Sequence, residues 1–251
     1  MSAVAEPLLN AFGQPVGRPL GDWSGAARPP RTPADGRLVR LEPLDPDRHG
    51  DDLFAAFGAD AEGRNWTYLG YGPFADRAAF GAWMDATCRG DDPLFHAVID
   101  RVTGRAVGVA SYLRIDPAGG VIEVGHIHLS PALQRTAQST EAMFLLMARA
   151  FDDLGYRRYE WKCDRLNAPS MRAAERLGFV FEGIFRQATH YKGRNRDTAW
   201  FSVVDGDWPV VKAAFLDFLS PSNFDGSGRQ IRSLASIRAG RAAERDTQST
   251  V

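Results

Sequence analysis

Apolar residues along this chain recur with two periods, and the switches between them mark out its elements. From 37 to 44 (RLVRLEPL) apolar and polar positions alternate, which predicts a strand with one buried face. A helix is predicted over 46–58 and a second over 76–89, where Phe80, Trp83 and Met84 fall at i, i+3, i+4. Residues 94–101 and 105–115 form a hairpin around a Thr-Gly turn, and DPAGG at 116–120 leads into 121–129 (VIEVGHIHL). Three antiparallel strands in succession are therefore expected. The longest helical stripe (Met143, Leu146, Met147, Ala150, Phe151) predicts a helix from 138 to 154 that ends at Gly155. A strand at 157–163 follows, then a helix at 168–177 stopped by Gly178, strands at 179–187 and 197–204, and a helix at 207–219. The order β-α-α-β-β-β-α-β-α-β-β predicts an α+β domain with one twisted, mixed sheet.

The two ends read differently. Residues 1–36 are rich in Pro, Gly and Arg, so neither helix nor central strand suits them. They predict an extended arm lying on the domain, anchored by Phe12 and Trp23. Residues 220–251 carry Arg229, Arg232, Arg238, Arg241 and Arg245 with little apolar material, which predicts a flexible tail. The expected organisation is thus an arm (1–36), a domain (37–219) and a tail (220–251).

Charge and cysteine content narrow the function. Thirty basic residues stand against thirty-one acidic ones, a net charge of −1, where a general nucleic-acid binder would show a basic excess. Cys88 and Cys163 have no cysteine or histidine at metal-ligand spacing and form no secreted disulfide framework. No apolar run approaches the roughly 20 residues that span a bilayer, and no signal-type segment opens the chain. These features predict a cytoplasmic protein without a metal and without a membrane partner.

The informative stretch runs from 121 to 186. A strand enters a short polar loop (PALQRTAQST, 131–140) that opens directly into the long helix, so backbone N–H groups and the positive end of the helix dipole converge on one spot. That arrangement suits a phosphate or pyrophosphate. Next come Asn-x-x-Ser at 167–170, Ala174-Glu175-Arg176-Leu177-Gly178-Phe179, and Glu182-Gly183. In this order, and with the later segment Lys192-Gly193-Arg194-Asn195-Arg196-Asp197, the chain resembles the GNAT superfamily of acetyltransferases, in particular its RimJ/RimL-like branch. The resemblance spans about 37–219 and is most specific in its C-terminal half.

The resemblance implies a mostly antiparallel twisted sheet with helices on both faces and a splayed central strand pair. It implies an acyl-CoA-dependent N-acyltransferase, with acetyl-CoA as co-substrate and an amine-bearing acceptor, either a small molecule or a protein N-terminus. The amides of Gln134, Arg135, Thr136, Ala137, Gln138, Ser139 and Thr140 would hold the pyrophosphate. Ala137 and Ser139 stand where the family carries glycines, a departure that costs little if the backbone there is αR. The backbone of Ile127, His128 and Leu129 would bind the pantetheine arm, and Asn167 and Ser170 would lie near the thiol. The family contains monomers and homodimers, and the proline-rich arm is long enough to reach a second subunit.

Direct attack in a ternary complex needs a neutral amine, a stabilised carbonyl oxygen and a proton for the departing sulfur. Glu123, His126 and His128 are the candidate bases, with Glu123 first and His126 second. Strict alternation sends Glu123, Gly125 and Ile127 to one face and Val124, His126 and His128 to the other, unless a bulge intervenes. Ser170 and Tyr191 are the candidate acids. Trp66, Tyr68 and Tyr71, in the NWTYLGYGPF segment at 65–74, are expected to wall the acceptor pocket. A non-catalytic acyl-CoA-binding module is the alternative, since the missing loop glycines are compatible with it.

Overall fold

The computed structural model describes residues 7–248. Its framework is an eight-stranded sheet built from β3 (Ala34–Asp35), β4 (Val39–Pro43), β5 (Leu94–Asp100), β6 (Ala106–Asp116), β7 (Val121–Leu129), β8 (Arg158–Asp164), β9 (Val180–Tyr191) and β10 (Arg194–Val204). The spatial order is β3-β4-β5-β6-β7-β8-β10-β9, antiparallel throughout except for the parallel β7–β8 pair. That one parallel pair exists because the connection between its strands is a crossover helix, while every other neighbour is reached by a hairpin or a return. A separate two-residue pair, β1 (Leu8–Leu9) and β2 (Pro15–Val16), lies in the arm. The mixed α+β architecture expected from the sequence is the one observed.

Helices cover both faces. On one side lie α1 (Pro46–Gly58), capped by Asp45, and α2 (Arg77–Thr87), capped by Asp76. They bury Leu53, Phe57, Phe80 and Met84 with Trp66 against Phe95, Ala97 and Val109 of the sheet. On the other side α3 (Ala137–Ala148), α4 (Ala168–Leu177) and α5 (Trp208–Leu219) share the larger core with Ile122, Val124, Tyr159 and Phe201. The predicted single helix to 154 instead widens into a π turn over Arg149–Asp153. There the Arg149 guanidinium reaches the carbonyls of Thr32 and Pro33, at 2.8 and 2.7 Å. Glu141 of α3 accepts from the N–H groups of Arg37, Leu38 and Val39, which pins the start of β4 to that helix.

Three expectations change in detail. Trp23 anchors the arm, donating from Nε1 to the Gly155 carbonyl at 3.2 Å, whereas Phe12 is 86% exposed and anchors nothing. Residues 1–6, part of the predicted arm, lie outside the described residues, as do residues 249–251 of the predicted tail. The rest of that tail is not loose: α6 (Leu234–Gln248) buries Leu234 and Ile237 to 2% exposure in the main core. Two apolar residues at i, i+3 suffice to seat one face, and Arg238 donates to the carbonyls of Glu175 and Arg176 at the end of α4. Finally, β9 and β10 run further than predicted, because Lys192 and Gly193 both adopt positive φ (48° and 71°) and close a two-residue hairpin turn.

Candidate active site

Two backbone irregularities build the site. β7 and β8 pair only from Val121↔Arg158 to Val124↔Trp161, and beyond Val124 they part. From Gly125 to Leu129 the β8-facing edge of β7 therefore has no strand partner among the described residues. Within the same stretch His126 takes φ 48°, and the register against β6 skips one residue between Val109↔His128 and Ser111↔Gly125. This is a β-bulge, with one residue too many on β7. It reverses the alternation, so Glu123, His126 and His128 all lie on the α1–α2 side, while Ile127 and Leu129 join the opposite core.

Cavities open on both sides of the parting. One, of about 520 Å³, lies on the α1–α2 side and is lined by Glu123, His126, Tyr68, Tyr71, Arg196 and Trp200 among others. A second, of about 420 Å³, lies towards α3 and α4 and is lined by Leu129, Gln134, Arg135, Ser139 and Arg176 among others. Ile127, Trp161, Asn167 and Ser170 line both, so the two cavities meet where the strands separate.

The second cavity ends at the N-terminus of α3. The Thr136 hydroxyl caps the Ser139 N–H at 3.1 Å, and the φ of Arg135 is 61°. The N–H groups of Arg135, Thr136, Ala137 and Gln138 have no hydrogen-bond partner among the described residues. Four orphan donors at the positive end of a helix form an anion site. Ala137 lies within α3 itself, where the backbone is αR, so the absent glycines leave the donors in place. The side chains add Arg176, which donates to Thr140 Oγ1 at 3.0 Å on the same wall. Gln134 lines the cavity with its side-chain amide held, donating to the Leu129 carbonyl at 2.9 Å, and its backbone N–H is taken by the Ser130 carbonyl at 3.0 Å.

On the other side His126 is held by Tyr71. The hydroxyl lies 3.2 Å from Nδ1 and the rings stack at 5.7 Å. Burial pushes the imidazole down to about 4, with the Arg114 charge adding to the effect, so the ring is neutral near pH 7. Burial likewise raises the Tyr71 phenol, which keeps its proton. In the tautomer that donates from Nδ1 to Tyr71, Nε2 keeps a free lone pair.

Glu123 is only 4% exposed and does not stand alone. Its Oε2 accepts from Arg114 at 2.7 Å and from the Lys162 ammonium at 2.8 Å. Lys162 also meets Glu160 at 2.7 Å and lies 3.7 Å above the Trp200 ring. Arg114 has a positive φ of 48°, at a second register shift on β6, and its largely exposed side chain reaches Glu123 from the cavity rim. His128 takes a different place: its ring stacks on Phe57 at 3.9 Å and both its nitrogens lack partners among the described residues. Its burial holds the ring neutral, down to about 4.

Ser170 receives a hydrogen bond from Trp161 Nε1 at 3.0 Å on its oxygen, which leaves its own proton to donate. Asn167 caps α4 through its Oδ1, bonded to the Ser170 N–H at 3.2 Å. Tyr191 lines neither cavity; its hydroxyl donates to Asp164 at 2.8 Å, and Asp164 in turn lines the first cavity. Tyr68 and Tyr71 line that cavity, but Trp66 is buried beneath it, edge-on to His128 and Phe57. Cys163 is a buried thiol raised above its ordinary pKa by burial, so it presents no thiolate.

Lys162, Arg114 and Trp200 were not singled out in the sequence, and Arg176 and Arg196 stood there only within the family's motifs, with no role at the site. The only signal for Lys162 was its place two residues after Glu160 on a strand, which puts both on the face of Glu123 once the parallel register Glu123↔Glu160 is known.

A family model described as an acetyltransferase (GNAT) domain matches residues 38–180. The chain belongs to the GNAT acetyltransferases. Among solved structures it is similar to a GCN5-related N-acetyltransferase from Brucella melitensis, with 51% identity and a TM-score of 0.86 over 88% of this chain and 100% of that one. A probable GNAT acetyltransferase from Chromobacterium violaceum shows 45% identity and a TM-score of 0.73, over 78% of this chain and 98% of that one. A Bacillus licheniformis protein described as an uncharacterized N-acetyltransferase is 26% identical over 161 residues, which is 62% of this chain and 88% of that protein. Among the described residues no helix is long and apolar enough to cross a membrane.

Proposed function

We propose that this GNAT protein transfers an acetyl group from acetyl-CoA to a primary amine by direct attack. The observation that carries the reading is the meeting of two cavities at Ile127, Trp161, Asn167 and Ser170: one ends in orphan amides suited to a diphosphate, the other holds a neutral imidazole. Acetyl-CoA enters from the α3 side, with its phosphates on the N–H groups of 135–138 and beside Arg176. Its pantetheine arm runs along the unpaired edge of β7, and its thioester lies at the junction.

The amine enters from the α1–α2 side, past Tyr68 and Tyr71. Its nitrogen bonds to the thioester carbonyl carbon, and the carbon–sulfur bond breaks. His126 accepts the proton that the nitrogen loses, and Ser170 donates towards the departing sulfur. The free N–H groups of β7 beyond Val124 stabilise the carbonyl oxygen. Glu123, with one oxygen shared by two cations, orients Arg114 and Lys162 at the pocket floor. Tyr191 acts through Asp164. The alternatives for the acceptor are a small molecule and a protein N-terminus, as in the RimJ/RimL-like branch.

Release of free thiol from acetyl-CoA, measured against a panel of amines, tests the proposal. Amine-dependent release supports it; tight acetyl-CoA binding with no release on any amine would instead identify a non-catalytic acyl-CoA-binding module.

A further inference from the structure

Arg196 has no place in the steps above, yet it faces the acceptor cavity from β10. Its Nε donates to Thr198 Oγ1 at 3.2 Å, and no carboxylate pairs with its guanidinium among the described residues. Every other cation on this wall is committed: Arg114 to Glu123, and Lys162 to Glu123 and Glu160. Of the lining acids, Glu123 is paired with Arg114 and Lys162, while Asp164 is held by the Tyr191 hydroxyl and the Leu166 N–H. Arg196 is therefore the cation on the cavity wall that no carboxylate among the described residues neutralises, and its side chain is suited to two parallel hydrogen bonds with a carboxylate.

From this geometry we infer that the acceptor is an amine that also carries a carboxylate, such as a free amino acid, with Arg196 binding the carboxylate. The inference rests on the acetyl-transfer reading above and adds its substrate class. The cations on the wall (Arg114, Lys162, Arg196) outnumber its carboxylates (Glu123, Asp164), which disfavours a bare polycationic amine. A zwitterion enters as a neutral species, and its carboxylate meets Arg196 while its amine is held near His126. The stacked pair Phe185 and Trp200, with ring centres 4.4 Å apart, lines the same cavity and offers an apolar surface to a side chain. Arg196 is accordingly a specificity-determining residue, and its place beside Thr198 on a paired strand keeps it in position before substrate arrives.

The test compares each of several amino acids (glycine, leucine, phenylalanine) with its carboxamide, using thiol release for turnover. A second arm titrates the N-acetyl amino acids and their amides into the CoA-saturated protein, which reads the carboxylate contact without any chemistry. The wild type should favour at least one acid over its amide by tenfold or more in both arms. Arg196→Gln should erase that preference while leaving turnover of the amide within about twofold, and Arg196→Lys should restore part of it. Turnover without discrimination between acid and amide, or discrimination that survives Arg196→Gln, overturns the inference and leaves acetyl transfer standing. Arg196-dependent binding of the N-acetyl amino acid with no turnover keeps the inference and removes the proposed reaction. The absence of both rejects the two together.

Discussion

The Lys162 ammonium lies 2.8 Å from the Glu123 carboxylate, 2.7 Å from that of Glu160 and 3.7 Å from the centre of the Trp200 ring. A box of two carboxylates and an aromatic face is what a substrate ammonium would seek, and the chain has filled it with its own lysine. Glu123 is thereby part of the wall rather than a free base. Glu123→Gln should lower the stability of the fold by about 2–3 kcal/mol, because a buried ion pair loses one member while Lys162 keeps Glu160. Turnover should fall less than tenfold. Urea unfolding and steady-state thiol release measure the two effects; a hundredfold fall in kcat at unchanged stability would return the base to Glu123.

His126 carries the opposite expectation. Removing a general base costs about 10²–10⁴ in rate, so His126→Gln should lower kcat by at least a hundredfold with little change in acetyl-CoA affinity. Burial places the acidic limb set by this ring near 4 rather than 6.5, so kcat/KM should show no His126 inflection between pH 5.5 and 7.5. A wild-type limb centred at 6.5 that disappears in His126→Gln would mean that the ring is solvated and that the geometry described here is wrong.

Local pattern alone made most of this fold legible. Strand and helix periods located the elements of the sheet, and the Gly178 stop bounded α4 as it stands. What pattern could not reach is what depends on register. His126 lies in a strand-like run, and nothing in VIEVGHIHL announces that its φ is positive, so alternation separated it from Glu123. The Glu123↔Glu160 pairing joins residues on strands thirty or more positions apart, and only that pairing brings Lys162 beneath Glu123. Trp66 shows the converse limit: its place among aromatics, Gly and Pro at 65–74 marked it for the pocket, but packing against Phe57 and His128 took it into the core. In the tail, counting charges hid Leu234 and Ile237, whose burial fixes the last helix.

The anion site at the start of α3 predicts a selective loss. Ala137 is half-buried at the first turn, next to four orphan amides, so Ala137→Leu should place its side chain over them. Acetyl-CoA affinity should fall at least tenfold, while stability changes by less than about 1 kcal/mol, as expected for a helical position that accepts leucine well. Calorimetric titration of CoA into both proteins checks this. An unchanged Kd would move the pyrophosphate away from this turn.

The last helix should behave as part of the core. Ile237→Ala removes a side chain that is 2% exposed and should cost about 2–4 kcal/mol. Arg238→Ala removes the donor to the Arg176 carbonyl and one of two donors to the Glu175 carbonyl, which keeps the Gly178 N–H, and should cost about 1–2 kcal/mol. Because Arg176 faces the proposed cofactor cavity, Arg238→Ala should also weaken CoA binding several-fold. Unfolding curves and titration of the two variants report both effects; wild-type values would mean that this segment does not stay docked in solution.

Two buried histidines, His96 and His128, and the half-buried His126 tie stability to acidity. Desolvation pushes His96 down to about 3, with the Arg149 charge assisting, and pushes His126 and His128 down to about 4. In the unfolded chain each binds its proton near 6.5, so between pH 6.5 and about 4 the unfolded state holds protons that the native state refuses. Stability therefore falls as pH drops through this window, by up to about 1.4 kcal/mol per pH unit for each ring, and is fully present above it. His128 is the cleanest probe, since its ring lies against Phe57 and Trp66 with neither nitrogen bonded among the described residues. His128→Leu should remove about a third of the slope measured by urea unfolding from pH 4.5 to 7 and should be more stable than the wild type at pH 5. A slope that His128→Leu leaves intact would show that this ring already carries its proton, or has access to water, in the folded protein.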